Sequence, residues 1–247
     1  MARPWSQLQA RRVADMDLHR LADLVQQLED DRSDGTDVGD RLCAACVEVL
    51  DVTGAGIMLM SDGEHRGTFG VSDDVISVVE DLQFTLGEGP CIDAFTSERP
   101  VCEPDLRNPA TARWPAFSGP AVDAGVRAVF GFPLRAGTAS LGALDLYLDE
   151  PGELGPDQMS DAVELANVIS DTVLSLQSDA SPGVLARELD ASLHDRSVVH
   201  QASGMVSCQL GIDVTDALSR VRAHAFSDNR PINDVARDIV ERRLTLD

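Results

Sequence analysis

The sequence predicts an α+β domain, an antiparallel sheet flanked by helices, followed by a small all-α domain of three short helices. Two patterns point to it. Between residues 54 and 148, apolar segments of strand length are bounded by Gly and Ser turns, with helical stripes before and after them. From His200 to Leu244, glycine and proline cut the chain into three amphipathic pieces. A length of 247 residues suits two domains, on a prior of about 100 to 200 residues each.

Taken in chain order, Leu18, Leu21, Leu24, Val25 and Leu28 form an amphipathic stripe within residues 15–30, read as a docking or dimer helix, and the acidic stretch from Glu29 to Gly35 reads as a linker. Leu42 to Leu50 is helical by spacing. Gly54 to Met60 is a buried strand, turned at Ser61-Asp62-Gly63 into a second strand near His65 to Val71. Val126 to Arg135 and Leu141 to Leu148 form a later hairpin around Gly137 to Ser140, which makes the sheet antiparallel and leaves one face for a pocket. Met159, Val163, Ala166, Ile169, Val173 and Leu176 mark a long helix over residues 157–178. Ser181-Pro182-Gly183 interrupts it before a new helix carrying Leu185, Leu189 and Leu193.

In the last segment Val198, Val199, Ala202, Met205 and Val206 share a helical face that ends at Gly211, where a left-handed stop is cheap only for glycine. Asp213 caps a second helix with the stripe Val214, Ala217, Leu218, Val221 and Ala225. Pro231 opens a third, carrying Ile232, Val235, Ala236, Ile239 and Val240. Three such helices bury little alone, so support from the preceding helix or a second subunit is expected. The chain thus divides into residues 1–35, 36–178 and 184–247.

A net charge of -22 opposes nucleic-acid binding at first sight, since polyanions bind through neutralised phosphates. Its distribution matters more. Residues 191–247 hold seven arginines against eight acids, so the remaining -21 lies before them. There is no lysine, and arginine is the better phosphate fork. No apolar run reaches the roughly 18 residues that cross a bilayer, and the first residues lack the apolar core of a secretory signal, so a cytoplasmic protein is expected, with no membrane partner. Five cysteines, an odd number, imply reduced thiols. Cys43-Ala-Ala-Cys46 sits in an apolar helical pattern and reads as core. The five histidines show no metal-ligand spacing, and no metal, cofactor or catalytic residue is expected.

Four segments resemble the GAF fold: LGEGPCIDAF from Leu86 to Phe95, WPAF from Trp114 to Phe117, GVRAVFGFPL from Gly125 to Leu134, and LGALDLYLDEP from Leu141 to Pro151. The resemblance implies a sensor whose pocket, for an unknown small-molecule ligand, lies between the sheet and the helices on one side. Phe84, Cys91, Phe95, Trp114 and Phe117 are the candidates to line it. Gly87-Glu88-Gly89-Pro90 reads as a turn into a helix whose N-terminus could hold an anion; the turn is the favoured reading. Cys91 is either a reactive thiol or a small packed residue.

The C-terminal segment resembles the ANTAR domain of bacterial transcription antitermination regulators. The resemblance is carried by Ala202-Ser203-Gly204-Met205, by Ala217 with Val221-Arg222 and Ala225, and by Val235-Ala236 with Ile239-Val240. It implies a ligand-responsive, non-enzymatic regulator that binds hairpins in nascent RNA. Ser203 stands where many members have lysine. Added to the local arginine excess, the resemblance implies an RNA face of Ser203, Gly204, Arg220, Arg222, His224, Arg230 and Arg237. Phe226 is expected to pack beneath the helices rather than stack on a base. A homodimer through residues 157–178, with residues 15–30, would present two readers to paired hairpins. The alternatives are a thiol-dependent small-molecule enzyme using Cys91 and Cys102, or a protein-interaction and dimerisation module.

Overall fold

The computed structural model describes residues 35–61, 64–108, 113–179, 194–228 and 230–246. The stripe in residues 15–30, the Asp62-Gly63 turn, Ser181-Pro182-Gly183 and the segment with Leu185, Leu189 and Leu193 lie outside the described residues.

Helix α1 (Gly35–Leu50) leads into β1 (Gly54–Ser61) and β2 (Glu64–Val71). Two helices follow, α2 (Asp74–Leu86) and α3 (Pro90–Ser97), then the short β3 (Val101–Glu103) and α4 (Ser118–Asp123). The hairpin β4 (Ala128–Ala136) and β5 (Ala139–Leu148) closes the sheet, and α5 (Pro156–Asp179) runs away from it. The sheet order is β2-β1-β5-β4-β3, with every neighbouring pair antiparallel. β3 escapes the sequence reading because three residues are too few to show a period.

Both faces of the sheet are covered, which corrects the expectation of a free face. Ala55, Ile57, Leu59, Phe130, Phe132, Leu144 and Leu146 pack under α1 and α5. The alternate residues Met58, Met60, Ala143, Val129 and Tyr147 pack under α2, α3 and α4. The unbroken apolar run of β1 is what a strand buried on both sides requires. Gly131 lets α3 sit directly on β4, because a Cβ there would lie 2.5 Å from the Pro90 carbonyl oxygen. The long α5 stripe serves its own subunit, with Ala166, Ile169 and Val173 in the core, while Val163 and Leu174 remain exposed on the outer face.

The C-terminal module is built from α6 (His194–Leu210), α7 (Val214–Ser227) and α8 (Ile232–Val240). Gly211, at φ 66°, ends α6, and Asp213 caps α7 by accepting the Thr215 N–H at 2.7 Å. Val199, Ala202, Val206, Ala217, Leu218, Val221, Ala225, Val235 and Ile239 form its core, and Phe84 of α2 completes it from the sheet domain. Phe84 thus supports the bundle from the sheet domain, a source other than the preceding helix or second subunit that the sequence suggests. Phe226 is 65% exposed, contrary to expectation, because it follows buried Ala225 and so projects about 100° away from the α7 core stripe.

Phe132 is fully buried between the sheet and α5, and Phe132→Ala should lower stability by about 3–5 kcal/mol. Val78→Ala, at a position 46% exposed, should change it by no more than about 0.5 kcal/mol. Urea unfolding of the two variants reads both numbers, and equal effects would contradict this packing.

Candidate functional site

A polar centre lies between β5 and the helices α2 and α3. Gln83 donates from Nε2 to Asp145 Oδ2 at 2.9 Å, and its Oε1 accepts the Cys91 backbone N–H at 2.8 Å. Glu80, one turn earlier on α2 and fully buried, joins Cys91 beside Asp145. Met58, Met60, Ala143, Ile92 and Phe95 enclose the group in apolar surface. Burial pushes the Asp145 carboxyl from 3.8 up to about 7, opposed by hydrogen bonds from Gln83, Glu80 and Cys91. Gln83 already occupies the Cys91 N–H at the start of α3, so that donor of the turn at residues 87–90 is engaged within the fold. Glu88 reinforces the turn by accepting the backbone N–H groups of Ala116 and Phe117 at 2.6 and 2.9 Å.

The five candidate pocket residues do not converge. Cys91 and Phe95 border the polar centre. Trp114 and Phe117 form a T-shaped pair with centroids 5.9 Å apart, packed with Ile76 and Val79 in a separate cluster. Phe84 points the other way, into the helical module, since it neighbours Gln83 on α2 and therefore faces off that helix's sheet side. The sequence reading missed Glu80, Gln83 and Asp145. The available signal was a lone aspartate in the apolar run of β5. Among the thiols, burial pushes Cys46 up to about 12 and raises Cys43 and Cys102, so none of these is a ready thiolate.

At the helical module the cations are largely engaged. Arg222 donates from Nε and Nη2 to the Phe84 carbonyl oxygen at 3.1 and 2.8 Å and stands 5.9 Å over the Phe84 ring. That carbonyl lies in the last turn of α2, at the negative end of its dipole. Gly87 caps α2 at φ 68°, and a Cβ there would approach Arg222 Nη1 to 2.8 Å. The His200 ring meets Phe84 edge-on at 6.4 Å. Arg230 pairs with Asp238 at 2.6 Å, Arg237 with Asp234 at 3.1 Å, and His224 faces Asp228 at 3.3 Å. Arg230, then Arg243, holds the Asp238 carboxyl below its ordinary range. Ser203 is buried, its hydroxyl donating to the Val199 carbonyl at 2.9 Å, which takes it off the surface because it lies on the core side of α6. Arg220 borders a groove with Ala223, His224, Ser227, Thr245 and Leu246. Gly204 lines a second groove with Met205, Cys208, Ile239 and Arg242, the last of which the sequence reading left out of the face.

Residues 33–173 match the family model of the GAF domain, and residues 187–240 match that of the ANTAR domain. The chain belongs to the GAF domain family and carries an ANTAR domain. In fold, the GAF domain of an Acinetobacter phosphoenolpyruvate-protein phosphotransferase is similar, at 16% identity over 68% of this chain and 98% of that one, with a TM-score of 0.51. The GAF domain of the Coxiella burnetii phosphoenolpyruvate-protein phosphotransferase is similar at 16% identity, covering 67% and 96%, with a TM-score of 0.50. No curated protein matches the chain. No helix among the described residues is long and apolar enough to cross a membrane.

Asp145 gives the GAF domain a defined pH response. Its folded pKa is raised, so between about pH 4 and 7 the folded chain keeps a proton that the unfolded chain has released. The associated stability is complete below about pH 4 and is lost as pH rises through about 7. Urea midpoints should fall across that window, and Asp145→Asn should flatten the decline; an unchanged slope in the variant would remove Asp145 as its source.

Proposed function

We propose that this chain is a ligand-responsive RNA-binding regulator acting in transcription antitermination through hairpins in nascent messenger RNA, cytoplasmic and without catalytic activity. The observation that carries the reading is the bond from Arg222 of the ANTAR domain to the end of GAF helix α2. Adjacent residues of that helix reach opposite ways: Gln83 to the buried carboxyl Asp145, Phe84 to the ANTAR core. A small effector that rearranges the Glu80–Gln83–Asp145 centre displaces Phe84 with it and releases Arg222. RNA phosphates and the Phe84 carbonyl then compete for one guanidinium. Coupling of this kind is reciprocal, so bound RNA tightens the effector that frees Arg222. The remaining RNA face comprises Gly204, Arg220, His224, Arg230 and Arg237, with exposed Phe226 offering an aromatic surface for a base.

Two substitutions at the one contact should act in opposite directions. Arg222→Ala should weaken binding to a hairpin selected from a loop-randomised RNA pool, and should flatten the salt dependence by about 0.7 to 0.9 for each lost phosphate contact. Phe84→Ala, which loosens the clasp but keeps the arginine, should strengthen binding in the absence of effector. Fluorescence anisotropy of the folded proteins measures both. Changes of the same sign would remove the competition for Arg222.

The chain acts as a homodimer in this proposal. Val163 and Leu174, eleven residues apart on α5, lie on one exposed face, since eleven helical steps close to within about 20°. A two-fold pairing of α5 would cover both and bring two ANTAR domains to paired hairpins. Light scattering over a micromolar dilution series should give about twice 26.5 kDa, and Val163→Glu should halve it. A mass of 26.5 kDa throughout would exclude the dimer.

A further inference from the structure

We propose that the groove between α6, α8 and the C-terminal turn is a nucleobase site, which takes one unstacked base of an RNA loop with Arg242 at its rim. The inference rests on the RNA-binding reading above and specifies where on the ANTAR domain a base is held. The groove is open to solvent and has a volume of about 680 Å³. Met205, Ile239 and Leu244 give it apolar walls, Gln201 a side-chain amide, and Arg242 a guanidinium. Bases in RNA loops are recognised by this combination: a flat apolar or guanidinium surface for the ring and amide groups for its edge.

Two features of the backbone single the groove out. The end of α8 is closed by Arg242 in the left-handed region at φ 60°, with the Arg243 N–H donating back to the Asp238 carbonyl at 2.7 Å. This is the helix stop at which glycine is favoured. The chain uses glycine at the stops after α2 and α6, Gly87 at φ 68° and Gly211 at φ 66°, and an acid at the left-handed positions after α1 and α3, Asp51 at φ 51° and Glu98 at φ 56°, so Arg242 is the one cation at such a stop among the described residues. An arginine there carries a conformational cost that a glycine would not, and it lines the groove without an ion pair: no acid among the described residues engages it, whereas Arg230, Arg237 and Arg243 all have carboxylate partners. The second feature is Gly204, in the middle of α6. No atom lies within 4 Å of where its Cβ would be, so neither packing nor backbone conformation requires glycine. Its missing side chain leaves the groove floor open. Both residues are locally unfavourable choices that shape the same cavity.

The local cost makes the test clean. Arg242→Gly relieves the left-handed strain and Gly204→Leu improves helix propensity, so both variants should melt at or above the wild-type temperature. With the full-length protein and the hairpin it selects from a loop-randomised RNA pool, each should bind more weakly by roughly 5- to 150-fold, the fold-change equivalent to the contribution of one stacked base. Binding to the fully paired stem of that hairpin should be unchanged. Hairpin affinity retained by both variants overturns the base site and leaves the RNA reading standing. Unchanged hairpin affinity with a shift in mass for Gly204→Leu overturns it in favour of a contact between two copies. Failure of the wild-type protein to select any RNA overturns both readings together.

Discussion

The arrangement of the two domains depends on a clasp at the end of helix α2, where the Phe84 ring enters the ANTAR core and its carbonyl receives the Arg222 guanidinium. A bundle of three short helices buries limited surface, and the ring adds to its core from outside. The arginine completes a carbonyl that α2, like any helix, leaves unpaired in its last turn, at the end of the dipole that favours positive charge. One guanidinium thereby satisfies the GAF helix and anchors the ANTAR helix.

The same helix connects this clasp to the GAF interior. Gln83 is held between the Asp145 carboxyl and the Cys91 N–H, so its position is fixed by two hydrogen bonds in a dry environment, where displacement has a high cost. Its neighbour Phe84 inherits that precision. Helices are stiff over four turns, and a shift at one face of α2 cannot be absorbed locally before it reaches the other. The buried acids Glu80 and Asp145 lie on the sheet side of this lever, and the ANTAR core lies on the opposite side.

Sequence patterning gave the elements more readily than their partners. Gly211, Asp213 and Pro231 marked the ends of the last three helices because capping chemistry is local. The antiparallel hairpin of β4 and β5 was legible for the same reason. The sequence offered no period for α2, and a period would not have said that Phe84 serves a different domain from Ile76, since periodicity defines a face and not what covers it. Charge composition records cations without their partners. Arg237 with Asp234 at i,i+3 was visible in the sequence, but Arg222 on a backbone carbonyl 138 residues away was not. Arg242 was missed because its interest lies in a backbone angle that no residue pattern reports.

The uneven placement of charge acquires a meaning once the two domains are seen docked. Nearly all of the -22 belongs to the sequence before residue 191, and the described part of it is held against a module close to neutrality. Any polyanion approaching the helical module meets a long-range repulsive field, screened over a Debye length of about 8 Å at physiological salt. Such a field opposes indiscriminate attraction to polyanions, so short-range complementarity must supply what long-range attraction does not. In the proposed RNA-binding role, the acidic domain would act as an electrostatic filter and raise the standard of fit for whatever the helical module holds.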